Sequence, residues 1–208
     1  MTVPRLSVRS TAASRLLFRA GLLVLLLCLC ACSGKKDPYA MPEPEPATSP
    51  QTVTWSFSPG AITVILDAES DSNLVNGEPH VTSLCLIQAP AREPLEALAS
   101  TEEGLRELLL CKARPPELLS ASQYYVQPGA YRVFPIDRQA GAQYVAVVAG
   151  FDTLTPEGSF AVVPIPIHEQ KEHSYIFFSY MLYSAAPMKL SVDIGQATIS
   201  ARGVERDD

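Results

Sequence analysis

The chain has little of what catalysis and metal binding need. Histidine occurs only three times in 208 residues, at His80, His168 and His173. The last two bracket His168-Glu169-Gln170-Lys171-Glu172-His173 and stand five apart. A zinc-protease helix needs its two histidines four apart on one face. The segment reads instead as a charged, solvated hairpin loop. No Gly-x-Ser-x-Gly, phosphate loop or dinucleotide fingerprint occurs. Residues 71–77 resemble a calcium loop only in part. The glycine comes one place late, and Thr82 stands where the bidentate Glu belongs. Neither metal nor cofactor is expected, and no catalytic residue is assigned. A secreted hydrolase using an unrecognised pair among the 22 acids remains as an alternative.

Long hydrophobic runs are scarce as well. The one at residues 20–31 spans only about 12 apolar residues, and a spanning helix needs ~20. It follows a stretch with Arg5, Arg9, Arg15 and Arg19 and no acid, which is the layout of a secretory leader. Basic side chains stay on the cytoplasmic side, which sets the export direction. The run ends Leu29-Cys30-Ala31-Cys32-Ser33-Gly34, which resembles a lipobox. Cys32 has an aliphatic residue three places before it and a small one just before it. Cys28 and Cys30 each follow a leucine, too large for that position. Residues 1–31 are therefore expected to be a lipoprotein signal peptide and Cys32 the lipid-bearing residue. Ser33 in second place favours the outer membrane, because Asp there is the usual inner-membrane retention signal. The Cys28-x-Cys30-x-Cys32 spacing carries no metal reading, since it lies in a discarded segment.

Removal of residues 1–31 takes away four of the 16 basic residues and none of the acids, so the net charge falls from −6 to −10. An acidic domain makes a poor nucleic-acid binder, because phosphate contacts need clustered Lys and Arg. With Cys32 acylated, Cys85 and Cys111 remain in an oxidising compartment. They are a candidate disulfide, with two buried free thiols as the alternative. Residues 33–51 hold five prolines and few periodic apolar residues. They read as a polyproline-II tether with a reach of roughly 60 Å, or as a terminus with no spacing role. The expected organisation is 1–31 leader, 32–51 lipidated Cys and tether, 52–208 folded domain.

The folded part reads as mainly β, a sandwich of two antiparallel sheets. Residues 52–58 alternate with Val53, Trp55 and Phe57 on one side, the period-2 sign of a half-buried strand. Pro59-Gly60 reads as a turn before the strand 61–68, and 81–89 reads as another strand. Residues 94–112 change period. Leu95, Leu98, Leu105, Leu108 and Leu109 fall at helical spacing, with Gly104 leaving open one helix or two. Strands resume at 122–127 and 131–136, joined by Pro128-Gly129 in a hairpin-like arrangement. The apolar run 144–151 should be central. Strands 160–167, 174–183, 188–194 and 196–201 follow. Pro164 and Pro166 cannot donate to a ladder and place theirs at an edge.

In order, these features resemble one family. Ala61-Ile62 precedes Asn73-Leu74-Val75-Asn76-Gly77 and Pro79-His80. Then come Ile87-Gln88-Ala89, where the family has Tyr-Gln-Leu, and Gly104-Leu105 with Leu108-Leu109. Val126-Gln127-Pro128-Gly129, the run 144–151 and Ile165-Pro166-Ile167 follow. Behind a lipobox, this order resembles the type VI secretion system outer-membrane lipoprotein, the small lipoprotein of the trans-envelope membrane complex, over about residues 55–167. The resemblance implies a transthyretin-like sandwich, lipid-anchored at the periplasmic face of the outer membrane. It also implies binding to the periplasmic C-terminal domain of the large inner-membrane component. The family's partner-binding loop maps to residues 69–78, with Asp71, Asn73, Leu74, Val75 and Asn76 as contacts and Leu74 and Val75 as apolar anchors. A fold-back of Leu74 and Val75 onto the sandwich edge is the alternative. A generic ligand-binding or chaperone lipoprotein is the competing function.

Overall fold

The structure is a computed structural model and describes residues 44–112, 118–174 and 178–206. Cys32, the expected leader at residues 1–31 and most of the expected tether at 32–51 lie outside the described residues. Among the described residues, twelve strands and two longer helices follow in chain order, with single helical turns at Pro50–Thr52 and Pro156–Ser159 besides. They are β1 Ser58–Ala68, β2 Leu74–Val75, β3 Glu78–Pro79, β4 Thr82–Ala89, α1 Glu93–Ala99, α2 Glu102–Leu109, β5 Ser120–Val126 and β6 Tyr131–Arg138, then β7 Tyr144–Gly150, β8 Phe160–Pro164, β9 Ile167–Ser174, β10 Phe178–Ala185, β11 Met188–Ile194 and β12 Ile199–Glu205.

Two four-stranded sheets face each other, in the orders β12-β11-β1-β6 and β5-β4-β7-β8. The mainly β sandwich expected from the alternating runs is the observed architecture. One pairing departs from the antiparallel expectation, because β1 and β11 run parallel, Ile62 beside Met188 through Ala68 beside Ile194. These strands lie far apart in the chain, so no hairpin constrains their direction.

Between the sheets lies the main core. β1 supplies Ile62, Val64 and Leu66, β11 supplies Met188, Leu190, Val192 and Ile194, and opposite them stand Leu84, Leu86, Val145 and Val147. Each such side chain contributes about 1.5–3 kcal/mol on burial. A second core lies on the far side of β4 and β7. There Cys85, Ile87, Ala146 and Val148 are roofed by Leu95, Ala99, Leu105 and Leu108 of the two helices. The helical stretch is thus two helices, and Gly104 has a different part from the interruption its sequence position suggests. Thr101 caps α2 by accepting from the Gly104 amide at 3.1 Å. A Cβ on Gly104 would lie 1.8 Å from the Leu98 carbonyl oxygen, so only glycine lets the two helices meet. Cys85 and Cys111 are joined by a disulfide that ties the end of α2 to β4.

Four sequence expectations are corrected. Residues 53–57 form no strand; Val53 is buried and Trp55 packs on the core, but the backbone pairs with nothing in a ladder. Pro59-Gly60 is no turn. β1 runs through it with a register irregularity, and Gly60 at φ 61° lets the strand bend there. Pro128-Gly129 does not close a hairpin, because β5 and β6 belong to different sheets. Tyr124 and Phe134 meet across the gap, ring centroids 4.9 Å apart. The segment 168–173, expected as a loop, lies within strand β9, paired with β10 in a separate ribbon. The edge position of Pro164 and the central position of β7 are as expected.

Candidate functional site: a turn at one end of the sandwich

Beyond Ala68 the chain leaves β1 and makes a small hairpin before re-entering as β4. Leu74 pairs with Pro79 and Val75 with Glu78. Asn76 and Gly77 close the turn with φ of 54° and 82°, the two left-handed residues that a type I′ hairpin demands. An Asn-Gly pair between short extended segments is the sequence form of that turn.

The hairpin is held from below. The Asn73 and Leu74 amides donate to the carbonyls of Gly195 and Gln196, and the Glu69 amide to Ile194. The Gln196 side-chain amide donates to the Asp71 carboxylate. Asn73 is only 6% exposed, at φ 51°, and its side-chain amide donates to the Val81 carbonyl at 3.0 Å. Asn73, one of the expected contacts, braces the hairpin from inside. Asp71, Leu74 and Val75 are half-buried and Asn76 is exposed. Leu74 and Val75 pack in neither core cluster.

Among the described residues, the buried side-chain polar atoms without a protein partner gather here. They are Ser72 Oγ, Asn73 Oδ1 and Thr82 Oγ1. Ser72 and Thr82 are fully buried, so these atoms face the interior below the hairpin and not its outer surface. Ser72 and Thr82 were not singled out in the sequence, because short hydroxyl residues beside a turn read as solvent-facing.

The opposite end of β1 is where the described chain enters. Arg138 is 4% exposed and donates to the carbonyls of Ser56 and Ala186, each at 3.3 Å. Its guanidinium lies 6.0 Å from the Trp55 ring centroid. Burial lowers its pKa from the ordinary arginine value. Arg138 thus pins the entering segment to the sandwich. A charged residue at a strand end reads as surface, so its sequence position carried no signal. Among the described residues no group of three His, Cys, Asp or Glu is placed to hold a metal ion. No helix there is long and apolar enough to cross a membrane. Cys32, the expected lipid site, falls outside the described residues.

Comparison with known proteins places these features in context. The profile of the family described as Type VI secretion lipoprotein (VasD, EvfM, TssJ) matches residues 61–194. No curated protein sequence matches the chain. Among solved structures, the lipoprotein TssJ1 of Pseudomonas aeruginosa is similar at 14% identity and TM-score 0.49, covering 73% of this chain and 98% of its own. Lip of Serratia marcescens, a membrane-bound component of the type VI secretion system, is similar at 15% identity and TM-score 0.47, covering 73% and 99%. A structure of the TssM C-terminal domain from EAEC contains a chain similar at 12% identity and TM-score 0.48, covering 69% and 98%.

Proposed function

Because this chain belongs to the type VI secretion lipoprotein family, we propose that it is the outer-membrane link of the secretion membrane complex. Acylated Cys32 would hold one end in the inner leaflet. The hairpin at residues 69–80 would grip the periplasmic C-terminal domain of the large inner-membrane component. This function is mechanical, and it requires no catalytic group.

One observation carries the reading. The entry segment and the hairpin lie at opposite ends of the same strand, β1, whose 11 residues span about 35 Å. A load between lipid and partner would pass through a strand held on both sides by β11 and β6. At the lipid end Arg138 fixes the entering chain; at the partner end Leu74 and Val75 stand half-buried outside both cores, flanked by half-buried Asp71 and exposed Asn76. Apolar anchors ringed by polar groups are the usual make-up of a binding hot spot.

The ligand-binding alternative has less support. A cleft of about 290 Å³ opens between β4, β5 and β6, lined by Leu86, Gln88, Ser120, Ser122 and Asp137. Small-molecule sites are usually larger and mostly apolar.

The test is co-purification of the mature chain, carrying Cys32→Ser for solubility, with the partner's periplasmic domain. A complex at micromolar concentration is expected, and Leu74→Asp should abolish it while leaving the thermal midpoint within a few degrees. No complex with the unaltered hairpin would overturn the proposal.

A further inference from the structure

The ribbon of β9 and β10 has no place in either sheet. Its strands pair with each other from Ile167 beside Ala185 to Ser174 beside Phe178. Neither strand packs along another strand or helix beyond isolated contacts. Every side chain of it that is described is exposed or half-buried. A two-stranded ribbon without a covered face is marginal in water. This one nevertheless carries Tyr180, Met181, Leu182 and Tyr183 in succession, with Tyr180 48% exposed.

The polarity of the ribbon divides between its strands, not between its faces. β9 reads Ile-His-Glu-Gln-Lys-Glu-His-Ser, and β10 reads Phe-Ser-Tyr-Met-Leu-Tyr-Ser-Ala. Tyr180 and Leu182 point to one face, Met181 and Tyr183 to the other, as the strand period requires. Glu172 and Gln170 stand opposite the first pair, Lys171 and Glu169 opposite the second. Laying either face on a protein sheet would bury a charge along with the apolar pair. What the ribbon offers is an apolar edge strand backed by a hydrated one.

Position identifies what that edge meets. The ribbon leaves the sandwich after β8 and returns into β11, whose first residue, Met188, lies beside Ile62 near the start of β1. That is the end where the described chain enters, opposite the hairpin at residues 69–80. The entering chain touches β10 itself: Ala47 and Tyr183 exchange both backbone hydrogen bonds at 2.8 Å. Fifteen residues separate Cys32 from Ala47, a maximum reach of about 50 Å. Tethering at that range holds the ribbon near a bilayer at an effective concentration on the order of millimolar, so a weak affinity suffices.

We propose that the β9–β10 ribbon rests on the lipid surface, with Tyr180, Met181, Leu182 and Tyr183 at the headgroup boundary and β9 in water. Tyrosine favours that depth, where its ring is covered and its hydroxyl hydrated. Beyond the Ala47–Tyr183 bridge, backbone groups on the outer edge of β10 stay satisfied there by water and headgroups. The charges of β9, Glu169, Lys171 and Glu172, do not sum to a basic patch, so the contact is apolar and does not depend on anionic lipid. Lipid anchorage thus becomes a two-point contact that orients the sandwich with its partner hairpin pointing away. The inference rests on the proposed acylation of Cys32 but not on the identity of the partner.

The test uses the full lipidated chain in phosphatidylethanolamine/phosphatidylcholine vesicles. Met181→Cys and, separately, Asn76→Cys are labelled with an environment-sensitive fluorophore, and spin-labelled lipid is added. Flotation with the vesicles is checked first; failure to float would count against acylation, a separate matter from the ribbon. For vesicle-bound protein, the label at 181 should shift to shorter wavelength and lose intensity to the spin label, unchanged by salt or added phosphatidylglycerol. The label at 76 should do neither. Equal behaviour at the two positions would overturn the proposal. So would shielding at 181 that appears only as protein density rises, which would assign the ribbon to self-association.

Discussion

The two sheets of this domain are built from the same number of strands and differ in how many faces they bury. Sheet β12-β11-β1-β6 has a core on one side only, and β11 shows it in strict alternation of buried and half-buried positions. Sheet β5-β4-β7-β8 is covered on both sides at its centre, by the opposite sheet and by the helices, and β4 and β7 are buried almost without a break. Alternation is therefore a sign of one covered face, and a continuous apolar run a sign of two.

Substitutions on the two outer faces should separate the sheets most sharply. Val148 lies fully buried beneath the helices, while Ile65, on the outer face of β1, is half-buried. Val148→Asp places an unpaired charge in that core and should cost about 4 kcal/mol or more. Ile65→Asp should cost about 1 kcal/mol, and urea denaturation of the two variants measures the difference. Next in size is the disulfide that holds the helices against β4. Its sequence separation of 26 predicts a loss of about 3.5 kcal/mol for Cys85→Ser with Cys111→Ser. Equal urea midpoints for oxidised and reduced protein would contradict that.

Gly104→Ala should cost about 1–3 kcal/mol, because its new methyl would meet the Leu98 carbonyl and push the helices apart. Thermal unfolding would register it as a lowered midpoint, and an unchanged midpoint would mean the helices separate freely. The smallest effect belongs to Ile65→Thr, expected within about 0.5 kcal/mol, since the outer face of that sheet carries no second layer.

The same contrast explains what was legible beforehand. β11 and β7 could be read directly, one from its period and one from its length and lack of polar residues. The helices were visible from leucine spacing, and the small hairpin after β1 only as a loop around Asn76-Gly77. Residues 53–57 alternate because Val53 and Trp55 cover one end of the core, and alternation alone does not make a ladder. Pro128-Gly129 marks a reversal but does not say whether the chain returns beside itself or across to the other sheet. The polar segment of β9 resembles a loop because its strand has no buried face to imprint a period. Ser72, Thr82 and Arg138 were silent because their roles depend on residues distant in the chain.

The proposed function rests on the two ends of β1 more than on the two sheets, and one experiment addresses them together. Vesicles carrying the lipidated chain are mixed with the partner's periplasmic domain and floated, alongside Cys32→Ser and Leu74→Asp variants. The expected result is co-flotation of the partner with the unaltered chain alone. Cys32→Ser should leave a partner complex that does not float, and Leu74→Asp a floating chain without partner. Partner recovered with vesicles bearing Leu74→Asp, or lost from the soluble Cys32→Ser protein, would contradict the assignment of the two functions to opposite ends.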